Sequence, residues 1–204
     1  MALRAACDRL RPMQDGVVTH GSRSRAPALL TVGTVVWLAS ELMFFGGLFA
    51  AYFTLRSETA VWPPSDVTLD TTFSAIFTVV LIASSGTIHL AGKALERGDR
   101  AGVQRWIVIT FVLGALFLTN QIREFLTNDF SISSHAYGSI YYLMTGFHGL
   151  HVAAGLVLML IALAMVVNAG TLARRTPAVE SVTYYWHFVD VVWVGLFTTI
   201  FLIR

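Results

Sequence analysis

The chain has 204 residues, 55% of them hydrophobic and 13% charged, about half the charged share of a soluble domain, and its mean hydropathy of +0.67 places one domain in a lipid bilayer. Cys7 is the only cysteine, which excludes an internal disulfide framework and leaves c-type haem attachment, iron–sulfur clusters and a thiolate dicopper centre without ligands. The net charge of +2 comes from 13 Arg and one Lys scattered between apolar blocks, not gathered into the basic stripe that a nucleic acid needs, so no nucleic-acid partner is expected.

Residues 1–26 are polar and Arg-rich with no apolar run, so they are neither a signal peptide nor a packed element. They are expected to form a mobile cytoplasmic tail, with an amphipathic surface helix over 2–10 as the alternative. Residues 27–204 then form a membrane domain. Its apolar blocks run over 27–55, 71–95, 103–126, 137–168 and 179–203, and each reaches the roughly 20 residues that a helix needs to cross the hydrocarbon core. The fold class is therefore all-α, with five transmembrane helices. The fourth block is longer than a perpendicular crossing, which implies tilt or extension beyond the membrane. Trp62-Pro63-Pro64-Ser65-Asp66 cannot continue a helix, and Arg97-Gly98-Asp99 is a short turn that makes its flanking helices antiparallel. With the N-terminus inside, eleven Lys and Arg fall on the inner side against three on the outer, Arg56, Arg123 and Arg204. The excess of cations on cytoplasmic segments puts the N-terminus in the cytoplasm and the C-terminus outside.

The informative residues are those whose position costs free energy. A carboxylate at mid-bilayer costs about 2.5–3.5 kcal/mol on insertion scales, so Glu41 in the first span needs a partner, a proton or water. Two readings stay open for it: a protonatable site linked to a proton path, or a neutral acid hydrogen-bonded across helices. On the fourth span, the spacing of His148 and His151 puts both imidazoles on one face. They are half of a metal site at most. Gly146, Gly149 and Gly155 favour a plainer account, in which another helix backbone approaches closely and the imidazoles bond between helices. His187 and Asp190 on the fifth span repeat the spacing of three, and a buried network of His148, His151, His187 and Asp190 follows, as structural glue or as a proton relay. Glu180 shares the face of His187 near the inner surface, and His89 receives no role. The end of the third span, Thr119-Asn120-Gln121-Ile122-Arg123-Glu124, is polar and is expected to face protein or water. Tyr141, Tyr142, Tyr184, Tyr185 and Trp186 are expected to anchor at the interface.

The run Tyr137-Gly138-Ser139 through Thr145-Gly146-Phe147-His148-Gly149-Leu150-His151-Val152 resembles the corresponding helix of subunit III of cytochrome c oxidase. So does Tyr185-Trp186-His187-Phe188-Val189-Asp190-Val191-Val192-Trp193. Ser40-Glu41-Leu42-Met43-Phe44-Phe45 and the later Trp62-Pro63-Pro64 match in the family's order, so the resemblance covers about residues 31–204. It implies a non-redox accessory subunit of a bacterial haem–copper oxidase in the plasma membrane. Such a subunit packs beside the catalytic subunit I and other oxidase subunits, holds lipid, sustains proton uptake and protects the complex during turnover. Haem and copper are then expected in partner subunits, with no metal, cofactor or catalytic residue in this chain. Bound phospholipid and membership of a respiratory supercomplex are compatible with it. Glu41 matches the family's intramembrane carboxylate, and His148, His151, His187 and Asp190 match signature positions. Longer members have seven helices and this chain begins at what resembles their third, so the family's cleft between the first two helices and the other five is not carried over. A quinol oxidase subunit III is the nearest alternative, and a small proton-coupled transporter or a structural assembly factor are the more distant ones.

Overall fold

The computed structural model describes residues 29–168 and 176–203. Five α-helices follow in order: α1 (Leu29–Glu58), α2 (Thr71–Glu96), α3 (Arg100–Thr127), α4 (Ala136–Val167) and α5 (Thr176–Phe197), the last ending in a π-helical turn over Thr198–Leu202. All five are long and apolar enough to cross a membrane, and no strand occurs among the described residues. The expected tail, the surface helix over 2–10 and Arg174 and Arg175 lie outside the described residues.

Local chemistry sets the helix starts. The Asp70 carboxylate accepts from the Phe73 N–H at 3.0 Å and Asp99 from the Gly102 N–H at 2.9 Å, each meeting one of the donors that a helix start leaves unpaired. His135 does the same for α4, its Nδ1 accepting from the Gly138 N–H at 2.8 Å. Between α2 and α3, Gly98 takes a left-handed φ of 71°, the conformation that ends many helices and suits glycine. There the Asp99 N–H reaches the Ala94 carbonyl at 2.9 Å and the chain reverses within three residues.

Helices α2, α3, α4 and α5 pack as a ring in that order, α5 closing it against α2, and α1 lies outside against α4 and α5. Along the α2–α5 seam, small hydroxyls on α2 receive indoles from α5. Trp193 Nε1 donates to Thr78 Oγ1 at 2.9 Å and Trp186 Nε1 to Ser84 Oγ at 2.8 Å. Between α2 and α3, Thr87 and Thr110 share a hydrogen bond of 2.7 Å.

The fully buried Trp186 ring fills a slot that two glycines open. A Cβ on Gly114 would stand 2.6 Å from its Cη2, and one on Gly155 would stand 2.8 Å from its Cζ3. This corrects two expectations. Gly155 accommodates an aromatic side chain instead of a helix backbone, while Gly146 faces open space and Gly149 meets only Leu118 at 3.8 Å. Tyr141, Tyr185 and Trp186 are buried instead of anchoring at the interface, and Tyr142 is half-buried with its hydroxyl on the Phe130 carbonyl at 3.0 Å. Of the five aromatics, Tyr184 alone is exposed. Hydropathy marks aromatic residues near span ends as amphipathic but is silent on which way the helix is turned.

At the end of α5 the Ile203 N–H bonds to the Thr198 carbonyl at 3.0 Å, a π-type step. The Thr199 carbonyl accepts from Tyr52 Oη of α1 at 3.2 Å. The sequence pattern extends a continuous α-helix over this stretch, because a π turn changes the register without changing the composition.

The Trp186 slot yields a contrast. Gly155→Leu should destabilise the solubilised protein by about 1–3 kcal/mol, the usual cost of overpacking, whereas Gly146→Leu should change the thermal midpoint little; equal shifts for both would contradict the slot.

Candidate functional site

The ionisable groups at membrane depth fall into separate clusters, not into one connected network. Glu41, near the midpoint of α1, meets His151, near the midpoint of α4, with Oε2 and Nε2 3.2 Å apart. The other ring nitrogen of His151, Nδ1, lies 2.8 Å from the Phe147 carbonyl. Because a carbonyl can only accept, this contact assigns the Nδ1 hydrogen. A neutral His151 then offers a bare Nε2, so Glu41 holds the shared proton and donates it. The alternative arrangement is imidazolium facing carboxylate. One proton moved along one hydrogen bond converts the first into the second.

The pair is placed by aromatic rings. The Phe45 ring meets the His151 ring edge-on at 5.2 Å, and Phe44 packs on Phe147 at 4.9 Å. The Tyr185 hydroxyl donates to the His151 carbonyl at 2.9 Å, while Trp37 stacks on the Tyr185 ring at 5.5 Å. The pair is not sealed: Glu41 keeps 23% of its side-chain surface and His151 15%, and exposed Leu42 and Met43 follow on α1. It therefore looks out from the rim of the bundle.

A second cluster joins α2 to α5. Ser85 Oγ lies 3.0 Å from His187 Nδ1 and also donates to Asp190 Oδ2 in a short contact. The serine has a single hydrogen, so if that goes to Asp190, the His187 Nδ1–H must point at Ser85. Asp190 Oδ1 is buried and has no partner among the described residues. A cavity of about 460 Å³ opens here, lined by Ile82, Ser85, His187, Asp190, Val191 and Val194.

His148 stands apart from both. It is fully buried, stacks on Trp193 at 4.9 Å and meets Phe117 edge-on at 5.9 Å, and neither ring nitrogen has a hydrogen-bond partner among the described residues. The spacing of three that suggests a common face with His151 separates them in practice, because a rotation of about 60° around the helix turns His148 to α3 and α5 and His151 to α1. A polar cluster that sequence reasoning passed over in detail lies at the end of α3. Glu124 accepts from Tyr141 Oη at 3.0 Å and from Ser74 Oγ at 3.5 Å, and the Arg123 guanidinium sits 4.0 Å above the Phe73 ring. Ser74, Ser84 and Ser85 were also missed. Their signal is the recurrence of Ser and Thr along α2, residues that hydrogen-bond across membrane helices. Among the described residues, no group of three or more His, Cys, Asp or Glu could hold a metal ion. The arrangement supports proton exchange within pairs and hydrogen bonding between helices.

Comparison with known proteins adds what geometry cannot. The family model described as cytochrome c oxidase subunit III matches residues 13–203. The chain is 48% identical over 186 residues to the probable cytochrome c oxidase subunit 3 of Mycobacterium tuberculosis, covering 87% of this chain and 90% of the relative. It is 41% identical over 184 residues to cytochrome c oxidase subunit 3 of Corynebacterium diphtheriae, with the same two shares. Against that of Synechocystis the identity is 37% over 186 residues, with shares of 90% and 79%. A match spanning all five membrane helices, at these identities, means that the chain belongs to the cytochrome c oxidase subunit III family.

Proposed function

We propose that this chain is the non-redox accessory subunit III of a proton-pumping cytochrome c oxidase in a bacterial plasma membrane. It lies with its N-terminus in the cytoplasm and its C-terminus outside, and subunit I is its main contact. Oxygen reduction takes place in the neighbouring chains, which hold the haem and copper. The names of the relatives favour cytochrome c over quinol as the donor. Sequence supports the division of labour, since a dicopper centre needs a pair of thiolates and Cys7 is single.

The observation that carries the reading is the Glu41–His151 pair at mid-depth on the rim of the bundle, 3.2 Å apart and open on one side. A protonatable pair sealed inside the fold would serve only folding. One that reaches the perimeter can exchange a proton with a chain packed against it, while the Nδ1 bond to the Phe147 carbonyl keeps Nε2 aimed at Glu41. In this way the subunit sustains proton uptake without performing chemistry of its own.

Two outcomes test the proposal. Stripping the chain from the purified oxidase should leave the haem spectrum largely intact while sustained turnover and proton uptake fall; stoichiometric haem or copper on the isolated chain would overturn it. Glu41→Gln keeps a donor for His151 Nε2 but cannot release a proton. It should cost less than about 1 kcal/mol of stability and slow proton uptake, with oxygen reduction retained; a fully assembled variant that has lost all oxygen reduction would contradict this.

A further inference from the structure

Where the start of α2 meets the end of α3, a cavity of about 460 Å³ opens between Asp70, Phe73, Ser74, Arg123, Glu124 and Asp129. Its walls carry charges of both signs. The Arg123 guanidinium lies 4.0 Å from the centre of the Phe73 ring and enters no ion pair among the described residues. The ring thus holds a cation at the cavity with its N–H donors still to be met. Glu124 is already engaged, one oxygen accepting from Tyr141 and the other from Ser74. Asp70 uses Oδ1 on the Phe73 N–H, and Asp129 uses Oδ2 on the Thr68 hydroxyl. Each of these two exposed carboxylates therefore keeps one oxygen without a partner among the described residues.

Depth restricts what can fill the cavity. Helices α2 and α3 have 26 and 28 residues, about 40 Å at the helical rise, against a hydrocarbon core of about 30 Å. Roughly 5 Å of each helix end then stands among the lipid headgroups, and the cavity is at such an end. Towards mid-membrane the same faces turn apolar and open. Ile76 follows Phe73 by one turn on α2, while Leu116 and Val112 precede Arg123 by two and three turns on α3, and all three are about half exposed. A charged recess at headgroup level above a hydrocarbon-facing track has the profile of a phospholipid.

The charges select the headgroup. A guanidinium meets a phosphate with two parallel N–H donors, and the two spare carboxylate oxygens suit an ammonium, which has three donors and no acceptor. An anionic headgroup would satisfy Arg123 but set its own charge against Asp70 and Asp129. We propose that this cavity binds a phospholipid whose headgroup carries a primary amine, with the phosphate on Arg123, the ammonium between Asp70 and Asp129, and an acyl chain along Ile76 and Leu116. The site is separate from the rim that carries Glu41 and from the α2–α5 cluster. It requires only that the chain spans a membrane, so it stands or falls independently of the proposed function.

The test uses the complex purified from its native membrane through a tag on this chain and placed in phosphatidylcholine nanodiscs. These carry a small fraction of either phosphatidylethanolamine or phosphatidylglycerol with a diazirine in the acyl chain. After illumination, the expected adducts lie on the peptides that contain Ile76 and Leu116, with a yield about five- to tenfold higher for the amine lipid, the range of one hydrogen bond between charged groups. Arg123→Gln should lower that yield by a similar factor. Asp129→Lys, on an exposed loop residue, should reverse the preference between the two lipids, and it keeps the test decisive if Arg123→Gln fails to assemble. Equal labelling by the two lipids, no adduct at these peptides, or labelling that an assembled variant leaves unchanged would overturn the inference. Soluble glycerophosphoethanolamine separates a lipid from a free phosphoamine: labelling that survives an excess of it supports the lipid, and labelling that it abolishes overturns the lipid as occupant.

Discussion

Everything in this bundle depends on hydrogen bonds made where no water competes for them. In a soluble protein, apolar faces find each other because water expels them, but lipid tails are as apolar as leucine and give helices no such reason to associate. What remains is close packing and the pairing of polar groups. Helix α5 uses both: its two tryptophans donate to Thr78 and Ser84 on α2, and the Trp186 ring occupies the slot left by Gly114 and Gly155. One side chain thereby fixes the positions of α2, α3, α4 and α5 relative to each other. The ring of four helices closes around it, and α1 is left as the peripheral member.

The division between core and periphery explains why the ionisable groups behave differently. His148 is inside the ring, against the aromatic rings of Trp193 and Phe117, and has no hydrogen-bond partner among the described residues. Glu41 and His151 lie where α1 meets the ring, so they find one another and still reach the outside. Ser85, His187 and Asp190 lie where α2 meets α5, and they too show one face outward. Glu41 and His151 thus form one pair at the rim, Ser85, His187 and Asp190 a triplet between α2 and α5, and His148 is sealed by itself.

Much of this architecture is legible in the sequence. The spans are marked by length and hydropathy, the breaks by Trp62-Pro63-Pro64 and Arg97-Gly98-Asp99, and the boundaries differ from the observed helices by three residues or fewer at the breaks that the structure describes. Glu41 stands out because an acid in an apolar helix is expensive, and cost is visible without coordinates. Partners are not. That His151 turns to α1 while His148 turns inward depends on how α4 is rotated, which its nearly uniform apolar surface does not encode. Ser84 and Ser85 are adjacent in sequence and serve different α5 residues, and serine in a membrane helix is too cheap to draw notice. The same reasoning accounts for the aromatics. Tyr141 and Tyr185 have the composition of interface anchors, and only the position of Glu124 and of the His151 carbonyl shows why their hydroxyls point inward.

The π turn at the end of α5 ties two things that are otherwise unrelated. With the Ile203 N–H claimed by the Thr198 carbonyl, the Thr199 carbonyl is released from its ordinary α-helical donor, and the Tyr52 hydroxyl takes the vacated place. Rewinding those few residues to α geometry would bring the Ile203 N–H back to that oxygen, which the Tyr52 hydroxyl would then share. The winding of one helix end and the seating of α1, the helix that bears Glu41, thus meet at a single carbonyl oxygen.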